Sequence, residues 1–205
     1  MTSSTASALI EAVHHLKAAD PVLAGVIERV GECQLTVRNT GTHFDAIVRA
    51  IVYQQLSGKA AATIHRRLEA LYGGPPLPAQ LAASEEAQLR SVGLSRQKLS
   101  YLKHFAALVE SEQLSIEALD GLEDQAIIEA LTQVRGIGRW TAQMFLLFRL
   151  GRLNVLPEAD LGVQKGIQLA YGLEKLPTPK QVIAIAEPWH PFCSVASWYF
   201  WRSLD

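Results

Sequence analysis

The chain has 205 residues, 49% of them hydrophobic and 19% charged, with 19 Lys and Arg against 20 Asp and Glu for a formal net charge of −1. Such a chain can bury a sizeable core, in one large domain or two small lobes, and is not disordered; it lacks the basic excess common among nucleic-acid binders, so any such role must rest on local motifs. No apolar run reaches membrane length, because Arg149 and Arg152 interrupt the stretch that begins at Met144, and the small polar residues before Leu9 do not read as a secretory signal, which points to a cytoplasmic protein.

In chain order the sequence reads as helices separated by capped turns. Asp20-Pro21 is a helix start, an N-cap followed by Pro at the first helical position. Phe44–Leu56 places Ile47, Val48, Ile51 and Val52 at helical spacing. Ser57-Gly58 breaks that run and caps a helix from Lys59 to Tyr72, which Gly73-Gly74 ends. Pro75–Pro78 reads as a loop, Ser84 as the cap of a short helix over Glu85–Val92, and Ser95 as the cap of the next. There Leu99, Leu102, Phe105, Leu108 and Val109 form an apolar stripe. Helices follow at 115–120, 123–133 and 139–150, the last apolar nearly all round and therefore expected to be buried. Glu158–Tyr171 reads as a further helix stopped by Gly172, Thr178-Pro179 starts another, and a last one runs from Pro191 to Arg202. Gln34–Val37 is the best strand candidate and is short, so the fold class is all-α. Cys33 and Cys193 form no CxxC pair, and the six histidines form no HxxxH or HExxH, which argues against a disulfide framework and a zinc enzyme.

The informative stretch is Leu131–Ala142, LTQVRGIGRWTA. Gly136 and Gly138 flank Ile137 between two helices, where glycine lets the chain turn sharply and expose its amides. The second helix starts within the turn, so free N–H groups and the positive dipole end point outward together, an anion site suited to one DNA phosphate. Backbone binding of this kind needs no large positive charge, and Arg135 and Arg139 add local attraction. A bare GxG between helices is an ordinary helical hairpin; LxxVxGIGxxTA is far more restrictive, and it resembles the helix-hairpin-helix motif of DNA glycosylases.

Twenty residues beyond Trp140 lies Asp160, in Leu156-Pro157-Glu158-Ala159-Asp160. Pro157 and Glu158 suit the opening of a helix, which would put Asp160 in its first turn; alone, it would be an acid that decorates or caps that terminus. Hairpin and Asp together resemble the helix-hairpin-helix glycosylase superfamily and its Gly-Pro-Asp-type loop, although the family's glycine and the proline directly before the Asp are not reproduced. Within that superfamily the 3-methyladenine DNA glycosylase II group is most similar, here in a short form without an extra N-terminal domain. The resemblance extends over residues 20–203. It includes Ile51–Ser57, like the segment that enters the minor groove, and Gly93-Leu94-Ser95-Arg96-Gln97-Lys98 with Tyr101, like a Gly-x-Ser-x-x-Lys-x-x-Tyr turn. Trp189 and Trp201 match late aromatic positions.

The resemblance implies a two-lobed fold with a central cleft, one lobe at 43–152 ending in the hairpin, the other combining 1–42 with 153–205. It implies a monofunctional glycosylase that hydrolyses the N-glycosidic bond of alkylated bases such as 3-methyladenine and 7-methylguanine in double-stranded DNA, working as a monomer. Asp160 would be the catalytic carboxylate, Gln55 with Gln54 beside it the wedge filling the gap left by a flipped nucleotide, and Gly136, Gly138 and Arg139 the phosphate site. Trp140 and Trp201 would wall the base pocket, with Met144 and Leu161 where aromatics might be expected; Trp198 reads as core. The carbonyls of Thr132, Val134 and Ile137 would hold a monovalent cation, Na or K. Bifunctional relatives carry a lysine where Trp140 stands, so no lyase activity is expected, and two distant cysteines cannot ligate a four-cysteine iron–sulfur cluster. The alternatives are a non-catalytic helix-hairpin-helix DNA-binding module and a glycosylase for another lesion.

Overall fold

The helix boundaries follow from capping chemistry that the chain carries locally. The computed structural model describes residues 3–38 and 40–205, and among them it has twelve α-helices, two short 3₁₀ turns and no strand. α1 (Ser3–Ala19) gives way to α2 (Pro21–Val30) at Asp20, whose Oδ1 accepts from Val22 N and Leu23 N at 2.9 and 3.0 Å. Gln34–Val37, the strand candidate, is irregular, and the Arg38 amide beyond it donates to Phe148 O (2.8 Å).

α3 (His43–Tyr53) opens on a capping box between Thr42 and Asp45. It stops at Tyr53 rather than Leu56, because Gln54 is extended and Gln55 adopts a left-handed φ of 54°. Ser57 caps α4 (Gly58–Tyr72). The stretch after Pro78, which sequence reading left without structure, forms α5 (Pro78–Ala83). Ser84 closes that helix, its hydroxyl donating to Gln80 O (2.7 Å), instead of opening α6 (Glu86–Ser91) as expected. Serine satisfies either a free amide ahead or a free carbonyl behind, and the short helix behind it was not foreseen. Ser95 caps α7 (Arg96–Glu110), 115–120 becomes the 3₁₀ turn Glu117–Gly121, and α8 (Asp124–Thr132), α9 (Arg139–Phe148), α10 (Leu161–Ala170), α11 (Pro179–Ala186) and α12 (Cys193–Arg202) follow. No helix among the described residues is long and apolar enough to cross a membrane.

These helices form two units. One takes the chain up to Arg38 together with Leu146–Asp205; the other takes the chain between, as far as Phe145. Residues 146–152, grouped by sequence with the hairpin lobe, belong to the first unit.

In the first unit α12 packs against α1, α2 and α10. Trp189, Tyr199, Phe200, Leu16 and Leu23 are fully buried there. A Cβ on Gly166 would lie 2.7 Å from the Phe200 carbonyl oxygen, so α10 and α12 approach backbone to backbone at a point where only glycine fits. The buried Asp20 carboxylate accepts from Trp189 Nε1 at 2.7 Å and from the Tyr171 hydroxyl. Burial by itself would raise its pKa, but the bonds from Trp189, Tyr171, Leu23 and Val22 together hold it below the ordinary value.

In the second unit α7 is central, against α3, α5 and α6. Phe44 stacks on Phe105 with centroids 4.7 Å apart, beside the buried Ile47, Val48, Ile51 and Leu102. α9 is not buried all round as expected: Ala142 and Phe145 face the core, but Arg139 and Trp140 at its start are exposed.

Candidate active site and nucleic-acid interface

α8 ends at Thr132 and α9 begins at Arg139. Between them Val134 N donates to Leu131 O (3.1 Å) and Ile137 N to Val134 O (3.0 Å), while the Val134 and Ile137 side chains are buried. The two glycines do different jobs. Gly136 has φ +82°, and a Cβ there would fall 2.1 Å from the Tyr101 ring. Gly138 has no left-handed requirement, and its missing Cβ would meet nothing within 4 Å, so its surface is open to an approaching ligand. Gly136, Gly138, Arg139 and Trp140 are all exposed, at the end of a helix whose first amides lack intrahelical acceptors. Arg139 reaches Gln125 Oε1 at 3.4 Å, so its guanidinium lies beside α8.

Three side chains hold this turn. Tyr101 packs beneath Gly136, His104 Nδ1 accepts from Arg135 N at 3.1 Å, and Gln54 Nε2 donates to Gly136 O at 2.8 Å. Gln54, paired with Gln55 in the sequence reading, is thus directed into the protein. Gln55 and Leu56 are the outward residues of that turn, and Leu56, 40% exposed, is an apolar neighbour that the sequence reading placed at the end of the preceding helix. Lys98 completes the support: Nζ donates to Val52 O (2.6 Å) in the last turn of α3, and burial lowers its pKa. The Lys98 and Tyr101 motif therefore buttresses both turns. His104 was missed by sequence reading, since nothing local marks a histidine on α7 as a partner of residue 135.

The carboxylate belongs to the other unit. Asp160 does not sit within a helical turn begun at Glu158. Its amide closes a turn onto Pro157 O (3.0 Å), α10 begins at Leu161, and Asp160 is the N-cap. Oδ1 accepts from Val163 N at 2.8 Å and from Trp201 Nε1 at 2.8 Å, and the residue is 8% exposed. The preceding loop is pinned: Ser194 Oγ accepts from Val155 N (2.9 Å) and donates to Arg152 O (2.6 Å), and Gln164 Nε2 donates to Glu158 O (3.1 Å). Trp201 is half-buried and stacks on Phe148 with centroids 5.8 Å apart, while Leu161 is exposed. Asp160, Leu161 and Trp201 are thus brought together in one unit, and Trp140 with the half-buried Met144 one turn apart on α9 in the other. Trp198 is half-buried rather than core.

A second chemical grouping in the first unit is centred on a buried thiol. Cys193 Sγ lies 3.6 Å from His190 Nδ1, which lies 2.9 Å from Asn154 Oδ1. Cys193 is fully buried, and that burial pushes its thiol up to about 12, far from a reactive thiolate.

Residues 48–191, from α3 through the hairpin and Asp160, match the HhH-GPD superfamily of base excision DNA repair proteins. The chain belongs to that superfamily. DNA-3-methyladenine glycosylase 1 of Schizosaccharomyces pombe is 34% identical over 78% of this chain and 72% of its own length. Among solved structures, the DNA-3-methyladenine glycosidase of Bacillus halodurans aligns with a TM-score of 0.84 at 40% identity, covering 93% of this chain and 88% of that one. The S. pombe 3-methyladenine DNA glycosylase Mag1, in complex with abasic DNA, aligns at 0.83 and 31% identity over 94% and 95% of the two chains. The all-α arrangement is therefore the HhH-GPD glycosylase fold.

Proposed function

We propose that this HhH-GPD protein is a 3-methyladenine DNA glycosylase that starts base excision repair by hydrolysing the N-glycosidic bond of alkylated bases, 3-methyladenine and 7-methylguanine among them. The observation that carries the reading is Asp160, a buried carboxylate with two hydrogen bonds on one oxygen, within the segment shared with the superfamily.

The Gly136 and Gly138 amides and Arg139 take one phosphate of double-stranded DNA. The damaged nucleotide leaves the stack, and Gln55 fills the gap. Trp140, Trp201, Met144 and Leu161 are the residues assigned to the base, whose positive charge favours aromatic faces. As the bond from C1′ to the base nitrogen breaks, its electron pair returns to the base, which departs neutral and needs no general acid. Asp160 stabilises the positive charge left on the sugar, and water adds at C1′ and loses a proton. With an indole at position 140 and no amine, no Schiff base forms there, so base release occurs without strand cleavage. The hairpin carbonyls of Thr132, Val134 and Ile137 fit a monovalent cation in kind, being hard oxygen donors in one turn; Val134 O, which accepts from Ile137 N, has a second lone pair. Such a cation would stiffen the turn beneath the phosphate.

Incubation with methylated duplex DNA tests the reading. Free 3-methyladenine and 7-methylguanine should appear, without strand breaks. Asp160→Asn should abolish release while retaining DNA binding, because an amide oxygen still accepts from Val163 N and Trp201 Nε1. Binding without release by the unaltered protein would identify a non-catalytic DNA-binding module; release only of an oxidised or mismatched base would identify a different lesion; full activity of Asp160→Asn would overturn the mechanism.

A further inference from the structure

We propose that Trp201 is a positioning residue that acts through Asp160, and that its indole N–H, more than its aromatic face, is what base release requires. The inference rests on the reading of Asp160 as the catalytic carboxylate.

Two donors from different elements converge on Asp160 Oδ1. Val163 N is fixed by the start of α10, and Trp201 Nε1 is brought from the last turn of α12, each at 2.8 Å. A cap bond alone leaves a carboxylate able to rotate about its Cβ–Cγ bond; a second donor to the same oxygen sets the plane of the group and hence the direction of Oδ2. Charge stabilisation at a sugar depends steeply on that direction.

The surroundings of the indole make the arrangement specific. A Cβ at Gly162 would lie 2.8 Å from Trp201 Cδ1 and 3.1 Å from both Trp201 Nε1 and Asp160 Oδ1, in the space the indole occupies. Gly166, one turn on, lets α12 approach until a Cβ would be 2.7 Å from Phe200 O. Phe148 stacks on the ring and limits its tilt. Two glycines four residues apart on one face of α10, each needed by α12, serve to deliver one N–H to one carboxylate oxygen.

Two roles for Trp201 separate cleanly. A wall for the base uses the ring face; a positioning residue uses the N–H. Benzothienylalanine installed site-specifically at position 201 keeps the ring system and replaces N–H with sulfur. Single-turnover release of 7-methylguanine at saturating enzyme reports the chemical step, and fluorescence anisotropy of the same duplex reports binding. The proposal expects the benzothienylalanine protein and Trp201→Phe to release base about 10- to 100-fold more slowly, with the dissociation constant of the duplex within about 2-fold of the unaltered protein. Gly162→Ala, which displaces the indole, should slow release similarly, and the Gly162→Ala/Trp201→Phe double variant should be no slower than Trp201→Phe. Melting temperatures check that each variant is folded; should Trp201→Phe fail to fold, the near-isosteric benzothienylalanine protein decides. Wild-type release by the benzothienylalanine protein, or weakened duplex binding with an unchanged saturated rate, overturns the proposal. If Asp160→Asn is inactive in the same assay, such a result removes only the role of Trp201; if Asp160→Asn is active, the reading of Asp160 itself falls.

Discussion

The Gln54 side-chain amide donates to the Gly136 carbonyl oxygen at 2.8 Å, across 82 positions of sequence. The bond ties the turn that carries Gln55 and Leu56 to the turn that presents the hairpin amides. On the proposed reading, in which one turn takes a phosphate and the other enters the duplex, the two must keep register, and this bond holds their spacing. Gln54→Ala should lower affinity for duplex DNA about 2- to 12-fold, the equivalent of one net hydrogen bond. Anisotropy titration at fixed salt checks this, and unchanged affinity would show that the two turns act independently.

The two hairpin glycines should respond oppositely to the same substitution. Gly136→Ala places a Cβ 2.1 Å from the Tyr101 ring and strains a φ of +82°, so it should destabilise the protein by roughly 3 kcal/mol or more. Trimming Tyr101 to Ala in the same chain relieves the clash but not the dihedral, and should restore only part of the loss. Gly138→Ala meets no protein atom within 4 Å. It should melt near the wild type yet bind DNA about 10-fold more weakly, because on the proposed reading the methyl group stands where the phosphate approaches. Thermal melts and binding curves of the pair check the contrast.

Asp20 should contribute stability that depends on pH. Its folded pKa lies below the model-peptide value of 3.8, so the contribution is fully present above that value and is lost as pH falls through the folded pKa. Asp20→Asn should cost about 1.5–3 kcal/mol at pH 7, where Trp189 Nε1, Tyr171 and the cap amides lose a charged acceptor. The difference between the two proteins should shrink as pH is lowered below about 4. Urea unfolding at pH 7 and at pH 3 measures it; an equal difference at both would exclude the ionised form as the source.

Gly166→Ala should be among the most damaging single-methyl additions in the first unit. Its Cβ would lie 2.7 Å from the Phe200 carbonyl oxygen and 2.8 Å from Phe200 Cβ, neither of which is the flexible end of a side chain. A loss of about 1–3 kcal/mol is expected from differential scanning calorimetry. Because forcing α10 from α12 also carries Trp201 away from Asp160, surviving protein should release base more slowly at saturating enzyme.

The sequence by itself determined the helix–turn–helix of Leu131–Ala142, most helix starts and the existence of an acid behind a proline-led turn. Caps, prolines and glycine turns satisfy backbone groups within about four residues of themselves, so their partners are legible in the chain. Even there competition misled it: Ser84 serves the helix behind it, and the turn closed on Pro157 O delays α10 so that Asp160 is the cap rather than a first-turn residue. Only the tertiary structure decided what those residues touch. Trp201 meets Asp160 across 41 positions, Gln54 meets Gly136 across 82, and His104 meets Arg135 across 31. Such bonds depend on how closely helices approach, which is set by glycines such as Gly162 and Gly166 that look permissive in sequence and become obligatory once a neighbouring helix is in place.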